Sequence, residues 1–422
     1  MSTVEATRRP HGGESAYFAA LAILAMVVGL GAYAFFRQTT EGHVLTGLSD
    51  ASPWGLYIVG FVFFVGASAG STVIGLMIHA FGREDYALLG TRAILVGFLS
   101  LGAAVTNIAV DVGSIPRMLT LPWVHRNLTS MFFYTSTTYY LFAAILLGEL
   151  YYTVKLTKGM STARDKRIAK WLAISAVPFA LAVLHAPHGA LFAVVKAREF
   201  WNNPLLPPHF AVVALVSGTA LMILVAVATT YFGKTEIASR ETLTHLGGLL
   251  ALFVAIAGFM DMFDFLVFTY SDNPTGAAAW GVIWGSQLGF SIVHVAGYTL
   301  ALLILLFKRR EVGWLAAAAA LAVTAVGAYR YNLVPIGFAE PVLPFLPQEQ
   351  YWPSRYEIAV SIGIVALIAL SYLVLIRVLP MEETGRARWD IGRLLGRRPS
   401  RRPISQRARP VSSMGSTRMR MR

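Results

Sequence analysis

Apolar runs separated by short polar breaks fill most of this chain. Within each run the polar positions are too few to make the hydrated face of a soluble helix. The runs reach about 20 residues or more, enough for an α-helix to cross a bilayer. Ten spans are predicted, at 15–36, 53–81, 87–110, 129–154, 170–196, 207–232, 245–270, 277–307, 313–333 and 356–379. Most connections are short. The exceptions are 111–128 and the proline-rich 334–355, too polar and too proline-broken to span. The pattern is that of an all-α polytopic membrane protein.

Composition agrees. Of 422 residues, 56% are hydrophobic and 14% charged, against about 25% charged in an ordinary soluble domain. Cysteine is absent, which excludes thiolate-held iron–sulfur clusters, disulfides, cysteine-ligated zinc and a thiol nucleophile. The first apolar segment is too long for a signal-peptide core, and no small-residue cleavage site follows it in frame.

Basic residues set the orientation. Lys155, Lys158, Arg164, Lys166, Arg167 and Lys170 follow span four, and Lys308, Arg309 and Arg310 follow span eight, on the side of Arg8, Arg9 and the C-terminal tail. Both termini are therefore expected in the cytoplasm. The opposite loops carry scattered charges such as Arg117, Arg126 and Arg198. Residues 381–422 hold 12 arginines against Glu382, Glu383 and Asp390, a net +9 of the chain's +13. Such a Ser-, Pro- and Arg-rich tail is expected to be disordered and to lie on anionic membrane lipid, with no nucleic-acid partner.

The second span opens with PWGLYIVGFVFFVGASAG, Pro53 to Gly70. Gly66 and Gly70 form a GxxxG step among Ala67, Ser68, Ala69 and Ser71, and such small residues let helix backbones approach closely in lipid. Pro53 suits a helix start, where its missing N–H is not needed. Trp54 and Tyr57 are expected at interface depth. The same stretch resembles the second-helix signature of the NrfD/PsrC family, the membrane subunits of polysulfide-reductase-like complexes. Three more segments agree in order and position. DVGSIPRM (Asp111 to Met118) resembles the family's Asp-x-Gly…Arg turn after the third helix, and RNLTSMFFY (Arg126 to Tyr134) its Asn-x-x-Ser entry to the fourth. LHAPHGALFAVVKAREFW (Leu184 to Trp201) resembles its His-x-x-x-Gly helix with a basic, aromatic exit. DVGSIPRM lacks the arginine of the commoner Asp-Leu-Gly-Arg-Pro form, leaving Arg117 as the arginine of this turn.

The resemblance implies a quinol- or quinone-reacting subunit of a respiratory oxidoreductase complex in the bacterial cytoplasmic (inner) membrane. Quinone or menaquinone is then the bound substrate, with no haem and no iron–sulfur cluster in this chain. Electrons would pass to or from an iron–sulfur (ferredoxin-like) subunit on the outer face, with a molybdopterin or cytochrome subunit beyond it, and proton translocation is a natural coupling. The resemblance also implies two four-helix bundles. On this chain the divisions are a 1–14 cytoplasmic segment, a peripheral first helix and outer loop (15–52), a quinone-binding first bundle (53–196), a second bundle (197–333), an outer loop with a peripheral last helix (334–379) and the 380–422 tail.

An ionisable group within a span is costly and marks function. At about 1.5 Å of rise per residue, Asp111 falls at the outer edge of span three and His185 in the outer half of span five. Asp261 and Asp264, one turn apart on span seven, fall at outer depth, as do Asn107, Tyr134 and Thr137. His79, Arg92, Glu149 and His294 fall toward the cytoplasm. Quinol oxidation needs hydrogen-bond partners for the ring oxygens and a base effective near neutral pH, a role suited to histidine and extended by a carboxylate.

His185 is accordingly read as proton acceptor and Asp111 as its relay outward; a packed histidine, and a helix cap bound to Arg117, are the alternatives. Gly66, Ala69, Gly70, Asn107, Arg117, Tyr134 and Thr137 are the candidate quinone-binding positions. Arg92, Glu149, Asp261, Asp264 and His294 are candidates for a proton path, although Arg92 and Glu149 read equally as a structural ion pair. His188 reads as packing. Haem b would need two histidines at matched depth on facing helices, and His185 has no such partner. No metal site is expected. A secondary transporter would show broken helices in matching spans; Pro187 suits a break in span five, but span nine offers no counterpart. A structural anchor would not need His185, Asp111 and the paired aspartates.

Overall fold

The computed structural model describes residues 12–79, 81–120, 123–124, 126–233, 236–270, 274–338 and 350–379. The regular elements among them are all helical, and ten helices are long and apolar enough to cross a membrane. The chain is an all-α polytopic membrane protein. The arginine-rich tail lies outside the described residues, as do the first eleven residues and 339–349 of the proline-rich loop.

The first span is α1 (Gly12–Glu41). The second is α2 (Leu56–Ser71) followed by α3 (Val73–His79), and the third is α4 (Ala87–Val112). A short α5 (Ile115–Thr120) precedes α6 (Met131–Thr157), the fourth span. One sequence expectation changes here. α2 starts at Leu56 and not at Pro53, because the Tyr351 hydroxyl accepts the Leu56 N–H at 2.7 Å and so closes the helix end. Tyr57, the second residue of α2, is fully buried, its hydroxyl donating to Gln38 Oε1 at 2.6 Å.

Span five is α7 (Ala163–Pro178), a π-helical turn over Phe179–His185, and α8 (Ala186–Ala193). Pro187 explains the wide turn. In a regular α-helix its ring would strike the carbonyl four residues back, at Val183, and that carbonyl would lose its donor. Widening to π geometry relieves both problems, and such turns occur often at functional sites. His185 is the last residue of the turn.

The remaining spans are α9 (Leu206–Gly233), α10 (Arg240–Tyr270), α12 (Leu288–Lys308) after a separate α11 (Pro274–Trp284), α13 (Val312–Gly337) and α14 (Arg355–Val378). The predicted single span 277–307 is therefore two helices, broken over residues 285–287.

α2–α3, α4, α6 and the α7–α8 span pack on one another, while α9, α10, α12 and α13 pack as a second group. The groups join where α2 crosses α9. A Cβ on Gly218 would overlap the Gly70 backbone, and one on Gly70 would overlap the Ala214 carbonyl, so this crossing requires glycine on both helices. α1 packs on α14 through Gly31 and Gly363, and α14 packs on α4 and α2.

Candidate functional site

The π turn delivers His185 to the junction of the two groups. The ring is fully buried and lies over Gly66, where a Cβ would sit 3.3 Å from the imidazole Cε1. Its Nε2 is 3.3 Å from Nη2 of Arg330 on α13. Arg330 is 1% exposed, and its guanidinium lies 3.8 Å above the Phe210 ring. That stacking holds the cation where the bilayer would otherwise make it very costly.

These contacts bear on two tautomers. A guanidinium only donates, so with Arg330 as its partner His185 Nε2 accepts, and in the neutral ring Nδ1 then carries the hydrogen. His188 is the reverse. Its Nδ1 lies 2.6 Å from the Leu184 carbonyl; a carbonyl only accepts, so Nδ1–H donates and Nε2 keeps its lone pair. Among the described residues, His185 Nδ1, His188 Nε2 and the Tyr139 hydroxyl have no partner. The two imidazoles are 6.1 Å apart at 25°, with Tyr139 5.0 Å and Phe61 5.4 Å from His188. Buried polar groups are normally satisfied. A ring nitrogen on each imidazole and a phenol are thus without partners on neighbouring side chains, next to Phe61 and Phe210.

A second polar cluster continues from Arg330 through α13 to α9, α10 and α12. Tyr329, next to Arg330, has its hydroxyl 3.2 Å from Nδ1 of the buried His209. Asp261 lies between two imidazoles, Oδ1 3.4 Å from His209 Nε2 and Oδ2 3.1 Å from His294 Nε2. Asp264 Oδ2 is 3.8 Å from His209 Nδ1, and Asp264 Oδ1 accepts from Asn203 Nδ2 at 2.8 Å. His294 therefore shares the depth of Asp261 and is not on the cytoplasmic level expected for it. The break before α12 accounts for the difference, since it places His294 only about two turns from the start of its helix.

The structure does not bring Asp111 to His185. Gly66 marks the level of His185 on α2. Asp111 belongs near Tyr57 and Glu357, whose charge environments it shares, about 14 Å of helix rise from Gly66. It sits two residues before Gly113, whose positive φ of 66° ends α4. Arg117 on α5 is exposed and makes no ion pair with it among the described residues.

The other candidates scatter. Gly66 is filled by His185 itself and Gly70 by α9, while Ala69 is core, so the three leave no ring-sized space. Asn107 is buried one turn inside Asp111, donating to the Ala103 carbonyl at 2.9 Å with Oδ1 open. Tyr134 is half exposed, and Thr137 donates back to the Phe133 carbonyl at 2.8 Å. Arg92 and Glu149 are both buried, yet among the described residues they form no ion pair with each other. The α4 face toward α6 is marked by Gly97 against Leu146; Arg92, five residues earlier, is turned about 140° away and meets Tyr372 of α14.

Trp201, at the aromatic exit of span five, is buried. Its Nε1 donates to the Leu333 carbonyl at 2.8 Å and its ring stacks on Trp54 at 5.3 Å. Trp54 thereby also points inward. Trp123 stays 66% exposed.

Arg330, His209, Tyr139 and Tyr329 did not emerge from the sequence pattern. Arg330 meets the same test as Arg92, a lone cation in an apolar span, and was discoverable on that ground.

Residues 44–341 match the family described as "Polysulphide reductase, NrfD". The chain is also similar to a selenate reductase component of Mesobacillus selenatarsenatis, 25% identical over 86% of this chain and 94% of the relative. A second relative is the Hdr-like menaquinol oxidoreductase integral membrane subunit of Archaeoglobus fulgidus, 26% identical over 87% and 94%. A third is the menaquinone reductase integral membrane subunit of Nitratidesulfovibrio vulgaris, 23% identical over 90% and 96%.

Proposed function

The chain belongs to the NrfD family, and from that premise we propose that it is the quinol- or quinone-reacting membrane subunit of a respiratory oxidoreductase complex. The observation that carries the reading is the open donor–acceptor pair of His185 Nδ1–H and His188 Nε2 beside Tyr139. The printed names of two relatives, a menaquinol oxidoreductase subunit and a menaquinone reductase subunit, support menaquinone as the ring.

A quinol hydroxyl oxygen accepts a hydrogen bond from His185 Nδ1–H and donates its own hydrogen to His188 Nε2. As electrons leave the ring its hydroxyl becomes strongly acidic, and His188 takes the proton. His185, read from sequence as the base, is instead the donor that holds the oxygen. Protonating its Nε2 would set a cation against Arg330 at 3.3 Å. Arg330 is a positioning residue that keeps His185 in the donating tautomer.

Asp261, between His209 and His294, is the core of a proton path in the second bundle, with Asp264 at its edge. Asp111 acts at the water boundary, apart from the ring. Electrons pass to an iron–sulfur subunit with a molybdopterin or cytochrome subunit beyond it. That partner docks on the face opposite the basic loops, where Arg117 and Trp123 are exposed. The basic loops and both termini face the cytoplasm of a bacterial inner membrane.

The test is menaquinol-dependent reduction of the partner's clusters in membranes holding equal amounts of assembled complex. His188→Ala is expected to lower turnover by about 10²-fold, the scale of a lost acid–base group, and His185→Ala by about 10-fold, the scale of a lost hydrogen bond. Wild-type rates in both variants would move the site elsewhere, first to Asp261 and Asp264.

A further inference from the structure

On the side of the basic loops, a cavity of about 690 Å³ opens between the start of α10 and the α12–α13 turn. Arg240 and His245 line it from α10, Arg309 and Arg310 from the turn, and Arg83 from the connection before α4; Leu249 adds an apolar side chain to the lining. Arg83 is already neutralised. Its Nε and Nη2 donate to Asp85 at 2.9 and 3.0 Å, and this pairing holds the Asp85 carboxyl below the usual carboxylate range.

Arg240, Arg309 and Arg310 are different. Arg240 uses Nε on the Arg310 carbonyl at 3.0 Å, and none of the three forms an ion pair among the described residues. Glu241 is the one acidic residue of the lining among the described residues. The pocket therefore keeps a net positive charge on donors that can turn inward.

The flank of α10 below it is apolar. His245 and Gly248 lead at helical spacing to Leu252, Ile256, Phe259 and Phe263, all four exposed on one side of the helix. A cationic pocket at the head of a greasy track matches a molecule with a phosphate at one end and hydrocarbon at the other. A free phosphate would use only the first half. We propose that this pocket binds the head group of an acidic phospholipid, with its acyl chains lying along α10.

Full-length protein in non-ionic detergent, analysed by native mass spectrometry, tests this. The probes are phosphatidylglycerol, phosphatidylcholine and inorganic phosphate, each added separately. Wild type is expected to retain phosphatidylglycerol on the order of tenfold better than phosphatidylcholine. R240Q/R310Q should lose that preference, and K166Q/R167Q, which removes equal charge from the exposed start of α7, should keep it. Arg310→Gln alone preserves the carbonyl that Arg240 uses, and a partial loss there covers a double variant that fails to assemble. Equal retention of the two lipids by wild type would overturn the proposal, as would equal loss in both double variants. Inorganic phosphate binding as well as phosphatidylglycerol would also overturn it, in favour of a free-anion site.

Discussion

Arg330 bears on both polar clusters, touching His185 on one side and adjoining Tyr329 on the other, and it is the residue whose replacement says most about the chemistry. Arg330→Met removes the donor that fixes His185 and leaves Nε2 without a partner, so assembled complex should turn over about 10- to 100-fold more slowly. Arg330→Lys, which restores a charge but not the flat stack on Phe210, should recover only part of the rate. Full activity in the Met variant, measured by cluster reduction, would remove Arg330 from the mechanism. Asp261→Asn belongs to the same scale. It should leave quinol oxidation within severalfold of wild type while lowering proton translocation into proteoliposomes, and unchanged translocation would count against the second-bundle path. His185, Asp261 and Asp264 were legible as ionisable groups in apolar runs. How they pair was not, because a tautomer depends on which atom a neighbouring helix presents, and hydropathy carries no information on the rotation of α9 or α13.

Helix count was read from hydropathy with little error, since about 20 apolar residues have few other uses in a chain this poor in charge. The interruptions were harder. The π turn before α8 lies among small or apolar residues with Pro187 as its signal, and the break over Gly285, Ser286 and Gln287 is too short to divide the apolar run, yet they set the positions of His185 and His294. The GxxxG step was read as tight packing, and the structure supplies its partner at Gly218. Gly218→Val should therefore block assembly, because forcing a side chain into a filled crossing costs on the order of 1–3 kcal/mol or more. Gly102→Ala, at a position with open space around it, should be tolerated. Comparing membrane-inserted yield and unfolding temperature of the two variants checks this, and normal yield of Gly218→Val would mean the crossing is looser than described.

At the scale of the whole molecule, the four helices around α2 and the four around α9 meet at the His185–Arg330 contact, so the proposed quinol site lies between two bundles rather than within one. The sequence places the quinone-binding positions within residues 53–196, and the proposed site draws in addition on Phe210 and Arg330, from spans six and nine. The most direct measurement is titration of the purified chain with a hydroxyquinoline N-oxide quinol analogue, followed by fluorescence quenching. Wild type should show one saturable site, weakened on the order of tenfold or more in His188→Ala and in Arg330→Met, each a lost polar contact of roughly 1.4 kcal/mol or more. Asp111→Asn should bind as wild type does. Unaltered binding in His188→Ala and Arg330→Met, with loss in Asp111→Asn, would contradict the account and return the site to the edge of α4.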